Sequence, residues 1–136
     1  MKTIEILKFM GEQGIRYKQD ELQTIFNYVN SMIRDNRVIE IESQGKIEAI
    51  LFISVSDNYE PFFKKTTWTY KPHDPRGKII YVEKLVAKEW NKEMRMQFEE
   101  LLTNLYPHFE LGVWHRWAKW GDRKTIAFRR RAFHNV

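Results

Sequence analysis

The chain has 136 residues and a formal net charge of +5; 43% of its residues are hydrophobic and 15% are aromatic. This length and apolar share fit one folded domain, residues 1–136, and exclude wholesale disorder. The sequence has no cysteine and no apolar run of roughly 20 residues, which excludes disulfides, cysteine-ligated metal sites and a membrane span, so we expect a soluble cytoplasmic protein.

Two helices are predicted near the N-terminus. Residues 3–10 fit either a short helix or an edge strand, and glycines interrupt the chain after them. Asp20 is a candidate N-cap with Gln23 in the capping-box position, and apolar residues then recur at helical spacing. This pattern predicts a helix from about Glu21 to Arg34.

A β-hairpin is predicted next. Residues 37–42 alternate between polar and apolar types, residues 46–55 are largely apolar, and a Ser-Gln-Gly turn separates them. We expect the glutamates of these strands on the solvent side, at positions Glu40, Glu42 and Glu48.

A long loop is predicted over residues 56–77, which hold three of the four prolines. Its aromatic residues Trp68 and Tyr70 either line a pocket or anchor the loop. None of the four histidines has a partner at the spacing of helical metal ligands, so no metal site is predicted.

The stretch from residue 78 to residue 106 organises the rest of the prediction. Lys78 to Ala87 predicts a buried strand that only Glu83 and Lys84 interrupt. The apolar residues that follow have the spacing of one helix face: Trp90, Met94, Phe98, Leu101, Leu102 and Leu105. A strand end that leads into a helix N-terminus is a common ligand site.

All of the excess positive charge lies in residues 112–136. This segment has seven basic side chains and one acidic side chain, a net charge of +6, whereas the rest of the chain has 16 basic and 17 acidic groups, a net charge of −1. A Gly121-Asp122 turn predicts a hairpin over residues 110–131, with Trp114 opposite Arg129 and Trp120 opposite Arg123. One hairpin face would then hold the candidate binding residues Trp114, Arg116, Trp120, Arg123, Arg129 and Arg131.

These residue types leave three readings of the hairpin open. Arginines neutralise phosphates and exposed tryptophans stack on bases, which favours nucleic acid. Tryptophan and arginine are also typical of the residues that dominate protein interfaces, so an acidic protein surface is a second candidate partner. The third reading is a solvated basic edge with covered tryptophans and no binding role.

The predicted element order is helix, helix, strand, strand, loop, strand, helix, strand, strand. It predicts an α+β fold: a mostly antiparallel sheet with two N-terminal helices and one strand–helix–strand unit. Over residues 20–131 this order resembles the Gcn5-related N-acetyltransferase (GNAT) fold. Compact GNAT-like proteins with eroded cofactor loops occur among bacteriophage proteins, and this chain is similar to them in character, which would place it in a host cytoplasm.

The resemblance implies a site for acetyl-CoA, whose pyrophosphate would bind at the helix N-terminus on a loop of the form (Q/R)-x-x-G-x-(G/A). Here the strand is IIYVEKLVA and the loop is KEWNKEMRMQ, which lacks the glycines and carries glutamates that repel phosphate. The residues that the resemblance assigns to the cofactor are Val86, Ala87, Lys92 and Arg95.

The resemblance also makes Glu83 the candidate general base, because family enzymes often place this group on the central strand. The alternative is an ordinary strand residue at the exposed end of its row. The family's fourth helix, which often brings a catalytic tyrosine, is not visible, and no tyrosine follows Tyr106. We therefore expect a GNAT-like binding protein with an eroded acyl-CoA site and no cofactor; the alternative is an N-acetyltransferase that uses Glu83 and acetyl-CoA.

Overall fold

In a computed structural model of the protein, residues 2–15, 18–57, 68, 71–117 and 123–129 are described, with the backbone alone for 114–117 and 123–129. The helices are α1 (Lys2–Glu12), α2 (Leu22–Arg34) and α3 (Lys92–Leu105), and a 3₁₀ turn at Gln19–Glu21 precedes α2. The strands are β1 (Val38–Ser43), β2 (Lys46–Ser56), β3 (Ile79–Ala87), β4 (Leu111–Trp117) and β5 (Arg123–Arg129). The predicted element order is confirmed, and the first element, left open between helix and strand, is a helix.

The strands form one five-stranded sheet in the order β1-β2-β3-β4-β5. Neighbouring strands are antiparallel except β3 and β4, which are parallel and joined through α3. This is the predicted α+β arrangement with one strand–helix–strand unit. In the part of the chain that is described, no helix is long and apolar enough to cross a membrane.

Helices α1 and α2 cover one face of the sheet. Their apolar stripes meet the even-numbered residues of β2, Ile50 and Phe52, together with Val86 of β3. The predicted Asp20 cap was wrong: α2 follows Glu21, whose backbone is helical and whose side chain makes no capping hydrogen bond. The 3₁₀ turn places Asp20 inside a helical turn, whereas an N-cap needs extended backbone.

Helix α3 covers the opposite face. Its buried residues include Phe98 and Leu102, which pack on β2 and β3 and confirm part of the predicted stripe. The rest of that stripe was wrong for Trp90, Leu101 and Leu105, which are 40%, 36% and 57% exposed. The helix begins only after Asn91, and its contact with the sheet is centred on Phe98 and Leu102, so Leu101 and Leu105 lie on the outer flank.

The predicted register of the C-terminal hairpin was also wrong. Trp117 pairs with Arg123, so five residues rather than two separate the strands, and Trp114 pairs with Ile126 instead of Arg129. Paired positions share a face and successive positions alternate, so positions 114 and 129 belong to opposite faces of the sheet. The candidate binding residues therefore do not form the single face that was predicted. Trp120 and Arg131 lie outside the described residues.

Candidate functional site

The junction between β3 and α3 is the position at which the resemblance predicts a cofactor. Strands β3 and β4 pair only from Ile79–Leu111 to Val82–Trp114, although both strands continue beyond this point. The two parallel strands therefore diverge next to the N-terminus of α3. A gap between diverging parallel strands beside a helix N-terminus is a suitable place for an anionic ligand.

The N-terminus of α3 is capped by the protein itself. Asn91 has extended backbone, and its Oδ1 accepts a hydrogen bond from the Met94 amide at 2.9 Å. The first turn also carries Glu93, which adds a negative charge near the same helix end. One of the free amides is thus occupied, and a carboxylate opposes any phosphate at this position.

A small cavity lies beside this helix end, between α3 and the sheet. It is a cavity of about 20 Å³, which has room for about one water molecule. Trp90 stacks on Phe98 at a ring separation of 5.8 Å, and Arg95 forms an ion pair with Glu99 at 3.7 Å. The other lining residues are Leu51, Val82, Leu85 and Leu102.

The four residues predicted to bind the cofactor do not converge on one point. Val86 is buried against the α1–α2 side of the sheet, whereas Ala87 packs on the α3 side. Lys92 is exposed to solvent, and Arg95 is engaged by Glu99. Their positions agree with the predicted elements, but the structure does not bring their side chains together.

Glu83 is buried rather than exposed. It is the extra residue of a β-bulge, because Phe52 pairs with Lys84 while Ile53 pairs with Val82. Its side chain is only 4% exposed, so the alternative of a solvent-exposed strand residue was wrong. The bulge directs this carboxylate toward the face that α2 covers.

The Glu83 carboxylate has three partners from three distant segments. Tyr28 of α2 donates a hydrogen bond to Oε2 at 3.2 Å, and Arg37 lies 3.4 Å from the same oxygen. Lys71 lies 3.3 Å from Oε1. Burial, and then the charge of Glu83, raise the pKa of Tyr28, so its hydroxyl stays protonated and donates.

Arg37 connects this carboxylate to the backbone. It is fully buried, and its guanidinium donates to the carbonyl oxygens of Ile53 at 2.9 Å and Lys71 at 3.0 Å and to the Ser54 hydroxyl. Arg37, Lys71 and Tyr28 were not predicted from the sequence as site residues. The available signal was Glu83 itself, because a carboxylate in a buried strand requires a buried cation.

Lys84 is the next charged residue of β3, and its environment differs from that of Lys71. It is half-buried, and its Nζ lies 4.1 Å from the centre of the Trp68 ring. Burial lowers the pKa of Lys84, and Lys71 adds to this, while Glu83 acts in the opposite direction. Of the two readings of Trp68, the structure supports an anchor: its ring contacts Tyr28 edge-on at 5.6 Å. We call Arg37, Lys71, Glu83 and Lys84 the ionic cluster.

His73 fastens the end of the long loop to β2. Its Nδ1 accepts a hydrogen bond from the Val55 amide at 3.0 Å, and its ring lies edge-on to Tyr106. Burial, and then the charge of Arg37, lower the pKa of His73, which keeps the ring neutral and able to accept. Among the described residues there is no cluster of metal-ligating side chains.

Comparison with known proteins supports the architecture. The chain is similar to the loading GNATL domain of CurA from Lyngbya majuscula, with a TM-score of 0.55 and 11% sequence identity. The match covers 87% of this chain and 61% of that one, so this chain spans less than two thirds of that domain's length. No family model and no curated protein matches the sequence. The chain has a GNAT-like fold.

Proposed function

We propose that this chain is a GNAT-like binding protein with an eroded acyl-CoA site, acting through its basic aromatic C-terminal hairpin, residues 110–131. The observation that carries the proposal is the β3–α3 junction. In support of it, Asn91 occupies an amide of α3, and Trp90 and Arg95 line a cavity of only about 20 Å³ beside this helix end. The same junction has a carboxylate where a phosphate would need positive charge.

The charge distribution supports a polyanionic partner. Residues 112–136 carry a net charge of +6, while the rest of the chain is close to neutral. Of the two predicted partners we favour nucleic acid, because Trp114, Trp117 and Trp120 alternate with basic residues and a base stacked on tryptophan contributes about 1–3 kcal/mol. An acidic protein surface is the other candidate partner.

Salt dependence separates these partners. We expect the logarithm of the affinity for a labelled single-stranded RNA, measured by fluorescence anisotropy, to fall linearly with the logarithm of salt concentration, by about 0.7 per phosphate contacted. Positions 116 and 124 pair across the hairpin and share a face, so Arg116→Ala and Lys124→Ala should each reduce this slope by about 1. Lys8→Ala, a change of an exposed lysine of α1, should leave the slope unchanged. If the RNA does not bind, or if all three variants behave alike, the nucleic-acid proposal fails.

An active N-acetyltransferase is the second candidate function. It is favoured by the divergence of β3 from β4 and by the position of Glu83 in a bulge beside it. Arg37 and Lys71 disfavour it, because they contact both carboxylate oxygens, which a substrate amine would need to reach. Acetyl transfer to an amine that is lost in Glu83→Gln but kept in Glu48→Gln would establish this activity.

A further inference from the structure

A groove separates α1 from the end of the sheet at which β1 turns into β2. Its volume is about 490 Å³, which is within the range of sites that bind small molecules. Gln44 and Gly45 form the turn, and both have positive φ, as in the two-residue loops that join antiparallel strands most tightly. The groove is therefore a gap between a helix and the end of a tight hairpin.

The floor of the groove is the edge of the hydrophobic core. Phe9 of α1 is buried and Ile47 of β2 is half-buried, and both pack in the cluster under α1 and α2. Both residues also line the groove. An apolar group of a ligand can therefore be removed from water at this position.

The two walls of the groove differ in charge. On the α1 side, Glu5 and Glu12 lie about two helical turns apart with Lys8 between them. The sheet side contributes Lys46, the first residue of β2, and Lys88, which directly follows β3. The helix wall is thus negative in sum and the sheet wall is positive.

The ion pairs that these residues form do not cross the groove. Glu5 lies 3.7 Å from Lys2 of the same helix, and Lys88 lies 3.8 Å from Glu48 of the neighbouring strand. Within the described part of the chain, Glu12 and Lys46 form no ion pair. A ligand that carries a positive and a negative group would complement both walls at once.

We propose that this groove binds a small zwitterion with an apolar side chain, either a free amino acid or a short peptide with free termini. Its ammonium group faces Glu12, its carboxylate faces Lys46, and its side chain lies on Phe9 and Ile47. The groove shares no lining residue with the cavity at the β3–α3 junction. The proposal is independent of the proposed function, because it uses no residue of the C-terminal hairpin.

The test is an NMR titration of the ¹⁵N-labelled protein with leucine and, separately, with the dipeptide leucyl-leucine, which separates an amino acid from a peptide ligand. The amides of Gly45, Lys46 and Ile47 report on the groove. Each zwitterion is compared with its N-acetylated form and with its C-terminal amide, which lack one charge each. We expect a saturable shift with at least one zwitterion and at least threefold weaker binding of its two blocked forms. No saturable shift with either zwitterion, or equal affinity for the blocked forms, overturns the proposal.

Variants of the two walls assign the charges. Glu12→Gln should weaken binding of the zwitterion about threefold to tenfold and leave the affinity for the N-acetylated form unchanged, because that form has no ammonium group. Lys46→Gln should act in the same way on the zwitterion and the C-terminal amide. Lys92→Gln and Glu100→Gln change exposed residues of α3, on the opposite face of the sheet, and should bind like the unchanged protein. If Glu12→Gln and Lys46→Gln bind the zwitterion as tightly as these controls, the assignment is wrong.

Discussion

Tyr28, Arg37 and Lys71 all contact the carboxylate of Glu83, with separations of 3.2, 3.4 and 3.3 Å. The strand pattern predicts where Glu83 lies along the chain, because only two charges interrupt that strand. Its partners lie in α2, directly before β1 and near the end of the long loop, 12 to 55 positions from Glu83 in the sequence. Local sequence pattern therefore could not predict them. Fold topology alone brings them together.

Removal of the negative charge of Glu83 tests its structural importance. Glu83→Gln removes the buried negative charge that Arg37 and Lys71 contact, so we expect the free energy of unfolding to fall by about 3–5 kcal/mol. Glu48 forms a largely solvent-accessible ion pair with Lys88. Glu48→Gln should therefore lower the free energy of unfolding by about 1 kcal/mol or less. Urea unfolding of both variants makes the comparison; equal losses would show that the ionic cluster adds nothing beyond a surface pair.

The neutral His73 ring predicts a pH dependence. Its pKa in the folded protein lies below the ordinary value of 6.5, so the unfolded chain binds more protons as the pH falls through this interval. The contribution of the neutral His73 to stability is therefore complete above pH 6.5. It is lost as the pH falls from 6.5 through the lower pKa of His73 in the folded state. His73→Asn keeps an acceptor for the Val55 amide but does not titrate, so its stability should fall less over this range.

His108 provides the matched control for that experiment, since it is exposed. Chemical unfolding at a series of pH values should give the same acid-side loss for His108→Asn as for the unchanged protein. A His73→Asn profile that coincides with both would mean that the contact with Val55 does not control acid stability.

Helix α3 shows how an element boundary decides the character of a site. Apolar spacing predicts this helix and its end near Tyr106. The predicted apolar stripe starts at Trp90, however, two residues before the helix begins. The cap explains the difference, because Asn91 must be extended to accept from the Met94 amide. Apolar periodicity does not detect this hydrogen bond. The hydrogen bond nevertheless determines which amides of the first turn remain free for a ligand.

The cap of α3 can be tested directly. Asn91→Ala removes the acceptor of the Met94 amide, so we expect a loss of about 1 kcal/mol in the free energy of unfolding. Asn91→Asp retains an acceptor and should restore most of that loss. If the alanine variant is as stable as the aspartate variant in thermal and urea unfolding, the side chain does not cap the helix.

The start of β3 depends on a close approach of two backbones. A Cβ added at Gly77 would lie 2.7 Å from the carbonyl carbon of Ser56, so Gly77→Ala forces strand β2 and the loop end apart. We expect a loss of about 1–3 kcal/mol. Gly11 in α1 has no atom within 4 Å of an added Cβ, so Gly11→Ala should preserve or increase stability. Urea midpoints that fall equally for both would contradict this packing.

The sheet register marks the limit of prediction from the sequence. Alternation predicts the first hairpin and the element order predicts the parallel pairing across α3, both of which are confirmed. For the last hairpin, a two-residue Gly-Asp loop is compatible with the sequence, but β4 ends at Trp117 and pairs with Arg123. A change of loop length alters every cross-strand partner, and local pattern does not fix that length.

The whole molecule combines a GNAT-like fold with a net charge concentrated at one end of the chain. Fold alone does not determine activity, since one scaffold supports many functions. The β3–α3 junction, where the resemblance predicts a cofactor, has a self-capped helix and the Trp90–Phe98 stack. The central claim is therefore that this scaffold binds a partner without binding acetyl-CoA.

Calorimetric titration of acetyl-CoA into the purified protein tests that claim most directly. We predict no binding heat beyond dilution, even at high ligand concentration. Micromolar binding that is lost in Ala87→Phe would contradict the account, because it would mean that the junction opens to admit the cofactor.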